Sequence, residues 1–228
     1  MIAALKKQRP GILCLVDNCY CEMVERTEPG ALGADLTIGS LIKNPGGTLT
    51  PCGGYLVGNE ACIDACARRL FAPGLGSDMG ASLGFSRIAF QGLFQAPQTV
   101  CQSVKGRLLA GAFFSRLGFS VLPEAAQASA DIVQAIRLDD EKKLTIFCQA
   151  VQKASPLDAT FLPEPDYLPG YNHPVVMAGG SFVQGASSEL SADGPMRPPY
   201  IAYFQGGMAL AQTKLALLLA ARDLGMVK

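Results

Sequence analysis

Histidine is nearly missing from this chain, charge of either sign is scarce, and no long apolar run interrupts it. Of 228 residues only His173 is a histidine, and 17% are charged, with 19 basic and 19 acidic side chains cancelling to a net charge of zero. Without a basic field nothing draws in a polyanion, so a nucleic-acid partner is not expected. The longest late apolar run, Leu215 to Ala221, is far too short to span a bilayer, and no membrane association is expected. The opening Met-Ile-Ala-Ala-Leu-Lys-Lys-Gln-Arg lacks the apolar core of a secretory signal. Eight cysteines in such a chain read as reduced thiols of a cytoplasmic protein. Cys19-x-Cys21 and Cys62-x-x-x-Cys66 have the spacing of metal pairs. The second lies on a helical pattern and histidine partners are lacking, so no metal site is expected.

What is present centres on a lysine. Lys43 ends the run Ala34-Asp-Leu-Thr-Ile-Gly-Ser-Leu-Ile-Lys43 and is followed by Asn-Pro-Gly-Gly47. The approach is apolar (Leu36, Ile38, Leu41, Ile42) and the turn can open onto a pocket. Desolvation lowers the pKa of an amine, which a nucleophilic lysine requires. A lysine closing a strand and pointing to solvent is the plain alternative. A second stretch, Pro10-Gly-Ile-Leu-Cys-Leu-Val-Asp17-Asn-Cys-Tyr20, reads as a short buried strand ending in an acid, an amide and a phenol. In an open parallel sheet, ligands bind beyond the carboxyl ends of strands. Asp17 and Lys43 both sit at such ends. They form an ion pair, or else the set that pyridoxal phosphate requires: a lysine to bond its aldehyde and a carboxylate to keep its ring nitrogen protonated.

The remaining pattern gives an α/β chain long enough for one domain or two. A short helix is expected over residues 2–8, strands over 12–17, 35–40 and 53–58, and a helix capped by Asn59 with Ala61, Ile63, Ala65, Cys66 and Leu70 inward. Residues 73–95 are glycine-rich and unassigned. Pro97 opens a helix over 98–117 whose buried face is Val100, Val104, Leu108, Gly111 or Ala112, and Leu117, with Gly118 closing it. The Pro/Ala/Ser stretch 122–130 marks a boundary between domains 1–121 and 122–228. A half-buried strand follows over 131–138, then an amphipathic helix over 140–154, a five-proline loop over 155–174, strands over 175–178 and 200–204 flanking the segment 180–199, and a well-buried helix over 208–224.

Val16-Asp-Asn-Cys-Tyr20, Leu32-Gly-Ala-Asp-Leu36 and Gly39-Ser-Leu-Ile-Lys43 together resemble the Cys/Met-metabolism family of pyridoxal-phosphate enzymes, which includes cystathionine lyases and methionine gamma-lyase. Lys43-Asn-Pro-Gly-Gly47, Phe90-Gln-Gly-Leu-Phe94 and the segment Ser181 to Pro195 are similar to its aluminium-resistance branch. The resemblance implies fold type I, with the second half of the large-domain sheet followed by a small α+β domain. It implies pyridoxal phosphate held by Lys43 and Asp17, a phosphate contact from Ser40, and Tyr20 and Asn18 near the ring, with packing roles as their alternatives. Arg197, ahead of a strand, and Ser181 are implied as contacts to the substrate carboxylate; Arg137 competes, although its alternating strand favours an outward charge. The implied reaction eliminates a thiol from methionine, cystathionine or cysteine, in a homodimer or homotetramer. Family chains are longer and carry an N-terminal arm, a glycine-rich phosphate-cupping loop and a ring-stacking aromatic ahead of the segment matched here. An inactive gene fragment, or a binding or assembly module, is therefore the rival expectation.

Overall fold

The computed structural model describes residues 1–78, 82–183 and 185–227; residues 79–81 of the glycine-rich stretch and Gln184 of the 181–195 motif lie outside them. Two sheets, one small and mixed, one larger and antiparallel, divide the chain, and a long helix packs on the second sheet and on the turn that follows the second strand of the first.

Helix α1 (Ile2–Gln8) leads into β1 (Leu15–Asp17), which pairs in parallel with β2 (Leu36–Ser40); β3 (Gly54–Gly58) then pairs antiparallel to β2. The parallel pair is as expected and β3 makes the sheet mixed. The buried strand read over 12–17 is different. It is short and at the sheet edge, and Leu15, Ile38 and Leu56 share a face that stands 57%, 37% and 38% exposed. Helix α2 (Glu60–Leu70) starts where Asn59 Oδ1 accepts the Cys62 N–H at 2.9 Å. Its expected apolar stripe is largely at the surface: only Ala67 is buried, and Leu70 is exposed.

Helix α3 runs from Phe85 to Arg116 and so encloses Pro97 instead of beginning there. Proline removes one i→i−4 bond and crowds the preceding turn. The helix nevertheless continues upstream because Gly92 and Ala96 are buried against the turn that follows Lys43. A Cβ at Gly92 would collide with the Gly46 carbonyl, and one at Gly47 with the Gly92 carbonyl. Only glycine permits that approach. The downstream buried face runs through Thr99, Val100, Ser103, Gly106, Arg107, Ala110, Gly111 and Phe114; Leu108 lies outside it.

The second sheet has the order β4 (Ser120–Leu122), β5 (Gln134–Arg137), β8 (Ile201–Gln205), β7 (Ser191–Pro195), β6 (Val175–Ala178), antiparallel throughout. Strands β4 and β7 were not expected from the sequence. Helix α4 (Glu141–Lys153) is capped by Asp140 Oδ1 on the Lys143 N–H at 2.8 Å. It presents Leu144, Phe147, Cys148 and Val151, all buried. Helix α5 (Leu210–Asp223) packs beside it through Thr213, Ala216, Leu217, Ala220 and Ala221, while Leu215 and Leu218 are exposed. The well-buried helix of the sequence reading is thus buried on one side. Phe114, Phe147 and Phe204 join α3, α4 and the sheet into one core, with ring centroids 5.3 and 6.2 Å apart in edge-on contacts.

Candidate active site

Parallel pairing places Asp17 opposite Ile38, about 5 Å away, and β2 runs two residues, about 7 Å, beyond that point to Ser40. Asp17 is exposed, and its Oδ1 accepts the Cys19 N–H at 3.0 Å. That amide holds the Asp17 carboxyl below the usual carboxylate range, so it is ionised at neutral pH. The neighbouring Cys19 thiol is pushed up to about 11 by burial and then by Asp17, so it is a poor nucleophile. Ser40 Oγ accepts the Ile42 N–H at 3.3 Å and tightens the chain as it leaves β2.

Three residues on, Lys43 opens a 3-10 turn over Asn44–Gly46, clamped against α3 by the glycine contact. Its Nζ donates to the Gly185 carbonyl at 2.6 Å and stands 4.8 Å from the centroid of the Tyr20 ring. Tyr20 has φ +71°, an uncommon conformation for a bulky residue, and the turn it sits in brings its ring to the amine. No ion pair joins Asp17 to Lys43 among the described residues. The structure thus brings Asp17, Tyr20, Ser40 and Lys43 to one end of the first sheet.

A loop from the second sheet closes over this end. Glu189 is buried, and its carboxylate accepts the Phe182 and Val183 N–H groups at 2.7 to 3.2 Å, which ties residues 182 and 183 back to the start of β7. Asn44 links the loop to the lysine turn. Its Oδ1 accepts the Ser187 hydroxyl at 3.0 Å, and its Nδ2 donates to the Glu22 carbonyl at 3.0 Å. Ser181 Oγ is buried and has no hydrogen-bond partner among the described residues.

Two expected residues stand apart. Side chains alternate along a strand, so Asn18 points away from Asp17; it is buried, and its amide donates to Glu28 Oε2 at 2.8 Å. Its amide is thus engaged with Glu28 and, at 3.5 Å, with the Tyr55 hydroxyl. Arg197 lies in the turn between β7 and β8, at the other end of β7 from Ser181 and Gly185. It is exposed and its guanidinium makes no ion pair among the described residues. The five residues of β7, about 16 Å, separate it from Ser181. Arg137, the competitor, faces outward and binds Asp139 Oδ1 at 2.7 Å.

Sequence reasoning missed Gly185, Asn44, Ser187 and Asp193. Asn44 follows the lysine directly, and a buried amide there was the available signal. Asp193, on β7, lies within the field of Lys43. Burial pushes its carboxyl up to about 6, and Lys43 pulls it partway back. Between its unfolded value of 3.8 and that value the folded state holds a proton that the unfolded state releases, so this group's contribution to stability falls as pH rises through about 6. A shift of this size corresponds to about 3 kcal/mol. Asp193→Asn is expected to remove that slope, gaining on the parent chain between pH 4.5 and 7.5 in urea unfolding; equal slopes in both chains would refute the assignment.

Among the described residues no group of three or more His, Cys, Asp or Glu could hold a metal ion, and no helix is long and apolar enough to cross a membrane. All eight cysteines are free.

The family model for methionine gamma-lyase matches residues 1–225. Protein YnbB of Bacillus subtilis (strain 168), itself uncharacterized, is 48% identical over 224 residues, covering 98% of this chain and 53% of YnbB. The crystal structure of a carbon-sulfur lyase involved in aluminum resistance from Clostridium novyi NT superposes with a TM-score of 0.91 at 42% identity, covering 98% of this chain and 52% of that one. The chain therefore spans about half the length of these relatives. A likeness to serine palmitoyltransferase from S. paucimobilis with bound PLP shares the fold alone, at 17% identity and a TM-score of 0.57.

Proposed function

Since the chain belongs to the methionine gamma-lyase family, we propose that it is a fold-type-I pyridoxal-phosphate protein whose chemistry is carbon–sulfur lysis of an amino acid. The observation that carries this reading is the setting of Lys43, whose amine has one carbonyl acceptor and an aromatic face beside it, at a sheet end shared with an ionised Asp17. The donor set fits the cofactor: an amine for the aldehyde, a carboxylate for the ring nitrogen and the Ser40 hydroxyl for a phosphate oxygen. When bound, pyridoxal phosphate supplies the electron sink that makes the α-proton of an amino acid removable.

The chain's own groups then divide the work. Asp17 stays ionised and holds the ring nitrogen protonated. Tyr20 keeps the lysine amine oriented, and Lys43 as a free amine takes the proton from the substrate Cα. Ser181, with its unpartnered buried hydroxyl, receives the substrate carboxylate. The carbon–sulfur bond breaks with its electron pair going to sulfur, which leaves as a thiol after protonation. Addition of water to the remainder gives a 2-oxo acid and ammonia. Methionine, cystathionine and cysteine are the proposed substrates. Residues 1–121 form the second half of the cofactor domain and residues 122–228 the small domain, in a cytoplasmic homodimer or homotetramer.

The exposed apolar face of Leu15, Ile38 and Leu56 favours a second reading, an inactive fragment or a binding or assembly module. Assay of the purified chain with added pyridoxal phosphate separates the two. Equimolar thiol and 2-oxo acid from at least one of the three substrates is expected. A cofactor-dependent visible band without thiol release from any of them would sink the lyase reading, and no band at all would leave the module.

A further inference from the structure

On the face of the first sheet opposite Asp17 lies a cavity of about 560 Å³. Glu22, Glu28, Thr37 and Tyr55 line it together with apolar surface from Leu41 and Leu93, and no lysine or arginine does so among the described residues. Glu28 is fully engaged, accepting the Met23 N–H at 3.0 Å and the Asn18 amide at 2.8 Å. Glu22 is engaged on one side only, where its Oε1 accepts the Tyr55 hydroxyl at 3.0 Å. Glu22 and Thr37 are 4% and 5% exposed, and Glu22 Oε2 and Thr37 Oγ1 have no hydrogen-bond partner among the described residues. Unpartnered buried polar atoms are uncommon in folded proteins and carry a desolvation penalty. Burial pushes the Glu22 carboxyl up, as expected of an acid with no cation beside it.

We propose that this cavity is a second ligand site, for a primary alkylammonium or arylalkylammonium. Its N–H groups bond Glu22 Oε2 and Thr37 Oγ1, and its apolar body lies against Leu41 and Leu93. An ammonium supplies the donors that both acceptors lack and the charge that Glu22 lacks, and a bare metal ion would leave the apolar walls uncovered. The volume suits a small organic molecule. The site is distinct from the one at Lys43, since Thr37 and Tyr55 lie on the face of the sheet opposite Asp17 and Ile38. The two are connected, because the Glu22 carbonyl accepts the side-chain amide of Asn44, the neighbour of the lysine.

Titration calorimetry with 2-phenylethylammonium chloride, on the Lys43→Ala chain without added cofactor, tests the site independently of the lyase reading. A Kd below about 1 mM is expected. Neutral 2-phenylethanol is expected to bind at least about tenfold more weakly, and Glu22→Gln to weaken the ammonium by at least about tenfold. Thr37→Val, nearly isosteric on a strand, is expected to weaken it about threefold or more and carries the test if Glu22→Gln loses its circular dichroism spectrum. Equal binding of the alcohol would reduce the cavity to an apolar crevice. No binding, or unchanged affinity in a folded variant, would overturn the proposal.

Discussion

Lys43→Ala is expected to abolish the cofactor-dependent visible band and to reduce thiol release by at least about 10³-fold. The loss is large because one atom serves twice, bonding the cofactor and then moving the α-proton. The fold should not notice. Among the described residues the Lys43 amine bonds only the Gly185 carbonyl and stands beside the Tyr20 ring, and the turn that carries it is held by Asn44 and the glycine contact with α3. Thermal unfolding of the variant should therefore stay close to that of the parent. Lys43→Arg sharpens the comparison, since it keeps the charge and a donor toward Gly185 but cannot bond an aldehyde at neutral pH. Its expected spectrum is that of Lys43→Ala. A persisting band in either variant would show that another amine holds the cofactor.

Phe147→Ala is the substitution expected to damage the fold most, by about 3 to 5 kcal/mol. Phe147 is fully buried on α4, between the rings of Phe114 and Phe204, so its removal opens a cavity where three elements meet. Domains of this kind are stable by only about 5 to 15 kcal/mol, so the loss is a large share of the total. Urea unfolding should show a lower midpoint at unchanged slope. Phe147→Leu, which refills much of the space, should cost less. A loss below about 1 kcal/mol for the alanine variant would mean that the ring does not knit the core.

The parts legible in the sequence were those fixed by local chemistry. Asn59 and Asp140 announce their helices because a short polar side chain followed by helical periodicity has little else to do. Val175–Ala178 and Ile201–Gln205 read as strands through β-branched and aromatic residues. Lys43 and Asp17 each close an apolar run, and the parallel pairing of β1 with β2 accounts for their place at one sheet end. Strand β7 was not, since Ser-Ala-Asp-Gly-Pro has little preference for extension; β6 and β8, bonding it on both sides, hold it there. The upstream half of α3 was hidden by Pro97, whose effect is overridden by a contact with residues some 45 positions earlier. The Asn44–Ser187 link spans 143 residues and left no local trace.

Helix α3 has a mechanical meaning as well. At 1.5 Å per residue its 32 residues reach about 48 Å, with the lysine turn wedged on Gly92 and Phe114 seated in the aromatic core. It rests upstream on the lysine turn and downstream on the second sheet. A tilt of the helix at either contact moves Lys43 relative to Gly185, which lies in the loop between β6 and β7 of the second sheet. The gap between amine and carbonyl is therefore a gauge of how the two sheets are aligned, and the chemistry at Lys43 inherits its precision from packing at the far end of a single helix.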